Sequence, residues 1–188
     1  MATWSSRGLR GSTLEDLVNQ TILQLREDNL ALIQKIPTPI TPITIDKVTR
    51  HITLAYFEAK STVDYVGVVQ GIPVCFDAKE CAEDTFPLAN IHEHQVAFMT
   101  DFEKQEGISF LLLFFSKRQE FYYMPYAEMM EFWNRMKMGG RKSFLISELD
   151  PAYFLTVTRD SCLPILEGLQ KDLNARGDDY EKAADSHT

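Results

Sequence analysis

The chain has 188 residues, 45% hydrophobic and 24% charged, and a formal net charge of −8 at pH 7. That size and balance fit one globular domain with a substantial core, no apolar run reaches the length of a membrane span, and the acidic excess argues against binding nucleic acid by bulk charge. The charge is uneven: residues 1–60 carry seven Lys/Arg against six Asp/Glu and residues 144–188 four against nine, which leaves room for a basic surface near the N-terminus.

Residues 1–11, rich in Ser, Gly and Arg, predict a flexible arm without the apolar core of a signal peptide. Ser12-Thr13-Leu14-Glu15 has capping-box spacing, and Leu14, Leu17, Val18, Ile22, Leu25, Leu32 and Ile33 recur at largely helical intervals. Together they predict a helix from Thr13 to Lys35, ended by Pro37 and Pro39. Residues 37–57 are β-branched and punctuated by proline, which predicts edge-like or protruding strands. A hairpin follows from Thr62 to Lys79, then a helix from Ile91 to Glu106 that Gly107 closes. The apolar run Ile108–Phe115 predicts a strand buried on both faces, with Glu120–Met124 as its partner. A helix over Tyr126–Met136 and a turn around Gly140 lead to another strand. Residues 171–188 lack core periodicity and predict a disordered tail. The expected architecture is α/β, a mixed sheet flanked by helices over residues 12–170. Cys75, Cys81 and Cys162 form an odd set without metal-ligand spacing, which predicts reduced thiols in the cytoplasm.

The hairpin carries the chemistry. With Gln70-Gly71 as a two-residue turn, Val69 faces Ile72, Gly67 faces Val74, and Asp64 falls opposite Asp77. Strand alternation puts Asp77 and Lys79 on the face of Asp64. An incidental salt bridge on a solvated face would explain most Asp-x-Lys strings, but like charges held across a ladder repel. A divalent cation resolves the conflict: Mg²⁺ takes oxygen ligands, is commonly held by one or two carboxylates, and keeps waters for a phosphate-bearing substrate. Lys79 would then face the negative charge of a phosphoryl transition state.

Asp64, twelve intervening residues, then Asp77-Ala78-Lys79 after an N-terminal helix resembles the PD-(D/E)xK nuclease superfamily. Further strings sharpen the likeness: KIPTPI from Lys35, AYFEAKSTVDYVG from Ala55, FDAKE from Phe76, TFPLANIHEHQ from Thr85 and GRKS from Gly140. Together they resemble the RecU family of Holliday-junction resolvases from Arg7 to Leu169. The resemblance implies a restriction-endonuclease-like fold and a homodimeric, Mg²⁺-dependent endonuclease, with Mn²⁺ able to substitute. Such an enzyme makes paired symmetric nicks in four-way DNA junctions during homologous recombination and repair. It implies that Asp64, Asp77 and the Ala78 carbonyl hold the metal, that Lys79 orients water or stabilises the phosphorane, and that Glu15 and Gln95 complete the catalytic set. Residues from Thr41 to Thr53 correspond to a stalk entering the junction centre. Arg7, Arg10, Lys35, Lys47, Arg50, His51, Lys60 and Thr62 are the implied DNA contacts, and recombinase or branch-migration proteins further partners.

The sequence departs from the family where a more basic stalk and a Glu in place of Asp77 are usual. The departures leave two alternatives: a nuclease of this fold acting on other DNA structures, and a catalytically weak junction-binding or recombinase-modulating protein. Glu15 also fits the capping box, and Gln95 an ordinary helix position. His92-Glu93-His94 lacks the H-E-x-x-H zinc spacing and is assigned no metal. Its histidines, and the Arg141-Lys142 turn, read as solvated surface or as groups near DNA.

Overall fold

A computed structural model describes residues 13–57, 62–157 and 162–185. Its centre is a six-stranded mixed sheet in the order β1-β4-β5-β7-β8-β10, formed by β1 (Ala31–Lys35), β4 (Tyr65–Val69), β5 (Ile72–Cys81), β7 (Ile108–Phe115), β8 (Glu120–Pro125) and β10 (Phe154–Leu155). The expected α/β architecture, a restriction-endonuclease-like sheet flanked by helices, is present. β5 and β7 are parallel, joined by the crossover helix α2 (Glu93–Glu103), and the other neighbours in the sheet are antiparallel. One face is covered by α1 (Thr13–Glu27) and the start of α4 (Ile165–Asp185), the other by α2 and α3 (Tyr126–Lys137). β7 runs between these layers, and all eight of its residues are buried, as its apolar run, interrupted only by Ser109, predicts.

The predicted helix to Lys35 stops early. α1 ends at Glu27, Asn29 takes a left-handed φ of 57°, and Leu30 N–H returns to Leu25 O at 2.9 Å. Asparagine accepts this conformation readily. From Ala31 the period changes from helical to alternating: Ala31 and Ile33 are buried, Leu32 and Gln34 exposed. Leu32 and Ile33 fit the helical spacing only because a short apolar run satisfies either period.

The hairpin of β4 and β5 has the expected register, Val69↔Ile72 through Tyr65↔Phe76. Gln70 and Gly71 both have positive φ (46° and 93°), as a type I′ turn requires. Gly67 is demanded by its neighbour: a Cβ there would meet Leu32 O at 2.3 Å, so β1 could not pair so closely. Tyr65, Phe76, Phe110 and Tyr123 stack in sequence across β4, β5, β7 and β8, with centroids 4.7, 4.7 and 4.3 Å apart.

β2 (Ile40–Ile45) and β3 (Ile52–Phe57) pair in a separate two-stranded ribbon, over the residues where a stalk is expected. It exposes Ile43, Ile45, Val48, Ile52, Leu54 and Tyr56. Asp46 Oδ1 accepts from Val48 and Thr49 N–H at 2.8 and 3.1 Å and so closes its tip. β6 (Thr85–Pro87) and β9 (Ser143–Leu145) form a third, small sheet.

α4 continues through the segment from Lys171 that the sequence predicts as a disordered tail. The Arg176 guanidinium bonds both Glu103 oxygens (2.6 and 3.1 Å) and Asp172 (2.8 Å), and Tyr123 OH donates to Asp172 Oδ2 at 3.1 Å. These pairs fix a helix whose own apolar face is thin.

Candidate active site

The site forms where β4 begins beside the second half of β5. Asp64 N–H donates to Asp77 Oδ1 at 2.6 Å, and Ala78 N–H donates to Asp64 Oδ2 at 3.3 Å. Each carboxylate therefore accepts from the backbone of the other's strand. Asp64 is partly exposed and Asp77 fully buried. The predicted face is right, but it is covered rather than solvated: Cys75, two residues before Asp77, packs with Leu88, Ile91 and Trp133 in the core beneath α2 and α3.

Asp77 Oδ2 is buried and has no hydrogen-bond donor among the described residues. Lys79 Nζ stands 3.5 Å away, near enough for Coulomb attraction but beyond a good hydrogen bond. Burial pushes the Asp77 carboxyl up to about 7, Lys79 opposes that shift, and the Asp64 charge adds to it.

A cavity of about 60 Å³ beside this pair is lined by Glu15, Lys35, Asp64, Tyr65 and Ala78. Glu15, from the first turn of α1, and Lys35, the last residue of β1, form an ion pair across it. Lys35 is thus in the site, a place hidden when α1 is drawn through it. Tyr65 OH bonds Asn19 Oδ1 at 3.1 Å, one helical turn beyond Glu15, which sets the rotation of α1 against the hairpin. Sequence reasoning missed Asn19, and only the i,i+4 step from Glu15 could have signalled it. Burial, then the Glu15 and Asp64 charges, hold the Tyr65 hydroxyl well above its ordinary value, so it is a neutral donor.

The remaining candidates are scattered. Gln95 is buried on α2, and its Oε1 accepts from His92 N–H at 3.0 Å, closing the start of that helix. Lys47, Arg50 and His51 lie together at the exposed ribbon tip, away from the cavity lining, and Thr62 is exposed just before β4. Arg7, Arg10 and Lys60 lie outside the described residues. Among the described residues no three His, Cys, Asp or Glu side chains converge into a complete metal cage. The donors that do converge are oxygens, the ligand type of a hard divalent cation. Among them too, no helix is long and apolar enough to cross a membrane.

Known proteins resemble this chain over most of its length. The family model Recombination protein U (RecU) matches residues 9–171. A Holliday junction resolvase RecU of Listeria innocua is 43% identical over 146 residues, covering 76% of this chain and 73% of that protein. Another, of Pediococcus pentosaceus, is 37% identical over 169 residues, 87% of this chain and 84% of that protein. The matched segment contains the opposed aspartates, Lys79, Glu15, the ribbon and Gln95, and the chain belongs to the Recombination protein U family.

Proposed function

We propose that this protein is an endonuclease that resolves four-way DNA junctions in homologous recombination and repair, cutting at the Asp64–Asp77 site with Mg²⁺ held there. The observation that carries the reading is the Oδ2 of Asp77 beside Asp64, buried and with no hydrogen-bond donor among the described residues. Asp64, Asp77 and the Ala78 carbonyl would hold the ion, with Mn²⁺ an acceptable substitute. Two carboxylates fall short of a cage, which suits an ion that keeps positions for water and a substrate phosphate. When bound, such an ion supplies positive charge to the phosphoryl oxygen and acidifies water for attack.

The residues of the chain do the rest. Asp77 is ionised when the ion enters, because a positive charge reverses the cost of its burial. Lys79, on the same face of β5, stabilises charge on the phosphorane or orients the water. Glu15 approaches from α1, held in rotation by the Asn19–Tyr65 bond, and Lys35 covers it until DNA arrives. Gln95 acts from α2, as the resemblance implies.

Two matched cuts call for two sites related by a twofold axis, so the working form is a homodimer. The apolar residues exposed along the ribbon favour a partner there, since isolated proteins rarely expose patches of this kind. The tip residues Lys47, Arg50 and His51 enter the junction, and Lys35, Thr62, Arg7, Arg10 and Lys60 contact its backbone. The protein acts in the cytoplasm, where the chromosome of a bacterial relative lies.

The test is a labelled mobile junction incubated with Mg²⁺, with EDTA and Asp77→Ala as controls. Paired symmetric nicks, absent in both controls, support the whole reading. Duplex cut as fast as junction leaves a nuclease of this fold with another substrate. Tight binding without cleavage in either metal leaves a junction-binding protein.

A further inference from the structure

Tyr65 is tied to each element that brings a carboxylate to the candidate site. It directly follows Asp64 in the chain. Its ring stacks on Phe76, the residue before Asp77, with centroids 4.7 Å apart and 10° between planes. Its hydroxyl donates to Asn19 Oδ1 at 3.1 Å, and Asn19 lies one helical turn along α1 from Glu15. The residue is buried, and it lines the small cavity together with Glu15, Asp64 and Ala78. One side chain thus relates the helix to both strands of the hairpin.

The other contacts of α1 do not do the same. Leu14 and Val18 are buried in the core beneath the helix, but apolar packing is non-directional and tolerates small rotations. A hydrogen bond weakens steeply with angle and distance, so it defines a position. A second polar tether exists: Thr21 Oγ1 accepts from Leu163 N–H at 2.9 Å. That bond leads to the segment before α4 and away from the site. The Glu15–Lys35 pair is partly exposed at both ends and adds little rigidity. Of the two polar tethers, only the Asn19 bond refers Glu15 to the aspartates.

Rigidity of this kind decides between hard cations. Mg²⁺ demands a nearly ideal octahedron of oxygens at short distance, whereas Ca²⁺ accepts more ligands at longer and less regular distances. We infer that the Asn19–Tyr65 bond sets the metal preference of the site, favouring Mg²⁺ over Ca²⁺ by fixing where Glu15 stands relative to Asp64 and Asp77. Asn19 and Tyr65 are positioning residues that act through Glu15. The inference rests on the reading of Asp64 and Asp77 as a divalent-ion site.

The experiment titrates the free protein calorimetrically with Mg²⁺ and with Ca²⁺, for wild type, Tyr65→Phe, Asn19→Ala, Asn19→Asp and Thr21→Val. On junction DNA the same preference is read as the Mg²⁺ concentration for half-maximal cleavage against the Ca²⁺ concentration that halves the rate. Tyr65→Phe keeps the ring and its stack on Phe76 and removes only the hydroxyl. It and Asn19→Ala should each bind Mg²⁺ roughly 5-fold more weakly, the worth of one ordinary hydrogen bond, with Ca²⁺ affinity unchanged. The double variant should lose no more than either single one, since both remove the same bond. Asn19→Asp still offers an acceptor and should keep the wild-type ratio. Thr21→Val should lower the thermal midpoint and leave the ratio alone. In a Glu15→Gln background, Tyr65→Phe should no longer change the ratio, a dependence that a merely structural defect would not show.

An unchanged ratio in Tyr65→Phe and Asn19→Ala, or an equal loss of both ions, overturns the inference while Mg²⁺-dependent cleavage by wild type upholds the metal site. A shift in Thr21→Val as large as theirs makes general looseness of α1 the cause and overturns it too. Wild type that cuts junctions in EDTA, or takes up neither ion and cuts nothing, overturns the metal reading and the inference with it.

Discussion

Asp64 and Asp77 are tied by reciprocal backbone-to-carboxylate bonds: Asp64 N–H is bonded to Asp77 Oδ1 at 2.6 Å, while Asp64 Oδ2 accepts from the residue after Asp77. The like-charge opposition legible in the sequence is therefore held by the bond each carboxylate accepts from the backbone of the other strand.

That tension makes stability depend on pH. Asp77 titrates near 7 in the fold and near 3.8 in the unfolded chain, so between these values the folded state binds the extra proton. Unfolding free energy of the metal-free protein should fall as pH rises from about 4 to 7 and level off above, by on the order of 4 kcal/mol for this group. Asp77→Asn should flatten that slope and be the more stable protein at pH 8 in EDTA, while losing cleavage. Denaturant titrations at several pH values check the sign, and a stability that rises over this interval in wild type alone would contradict it.

Lys79→Ala should bind junction DNA almost normally and cut it about 100-fold to 1000-fold more slowly, as when a donor to a developing oxyanion is removed. Single-turnover rates beside dissociation constants separate the effects. A fall in binding as large as the fall in rate would make Lys79 an anchor for DNA.

At the ribbon tip, Lys47→Ala with Arg50→Ala should leave the thermal midpoint within about 1 °C, since both side chains are exposed. Junction affinity should drop, with a salt slope reduced by roughly 0.9 for each phosphate that the variant no longer neutralises. Unchanged affinity at low salt would remove the tip from the interface.

Arg176→Met breaks a partly buried guanidinium from Glu103 and Asp172 and should cost roughly 3 kcal/mol, leaving two carboxylates close together. α4 should then become the first segment cut in limited proteolysis. Resistance equal to wild type would show that the apolar packing of Leu169 and Ile165 holds it alone.

Where local pattern and tertiary demand coincide, the chain is readable. β7 and the β4–β5 register follow from a nearly continuous apolar run and a two-residue turn. Legibility fails where local signals are shared by two structures. Leu32 and Ile33 satisfy both a helix and a strand, which conceals the place of Lys35 opposite Glu15. α4 beyond Lys171 owes its position to Arg176, Glu103 and Asp172, which look like solvated charges when taken one by one. The stacking of the His92 and His94 rings, 5.4 Å apart, depends on a helix start that periodicity locates only to within a few residues.

The row of stacked rings from Tyr65 to Tyr123 passes through Phe76, the residue immediately before Asp77. Amides of β5 should exchange with solvent only when the whole sheet opens, whereas those of β2 and β3, exposed and among the described residues paired only with each other, should exchange by local fraying. On the proposed reading, adaptation to a branched substrate would fall to the ribbon, and β5 would serve as a rigid anvil against which the DNA is bent into place.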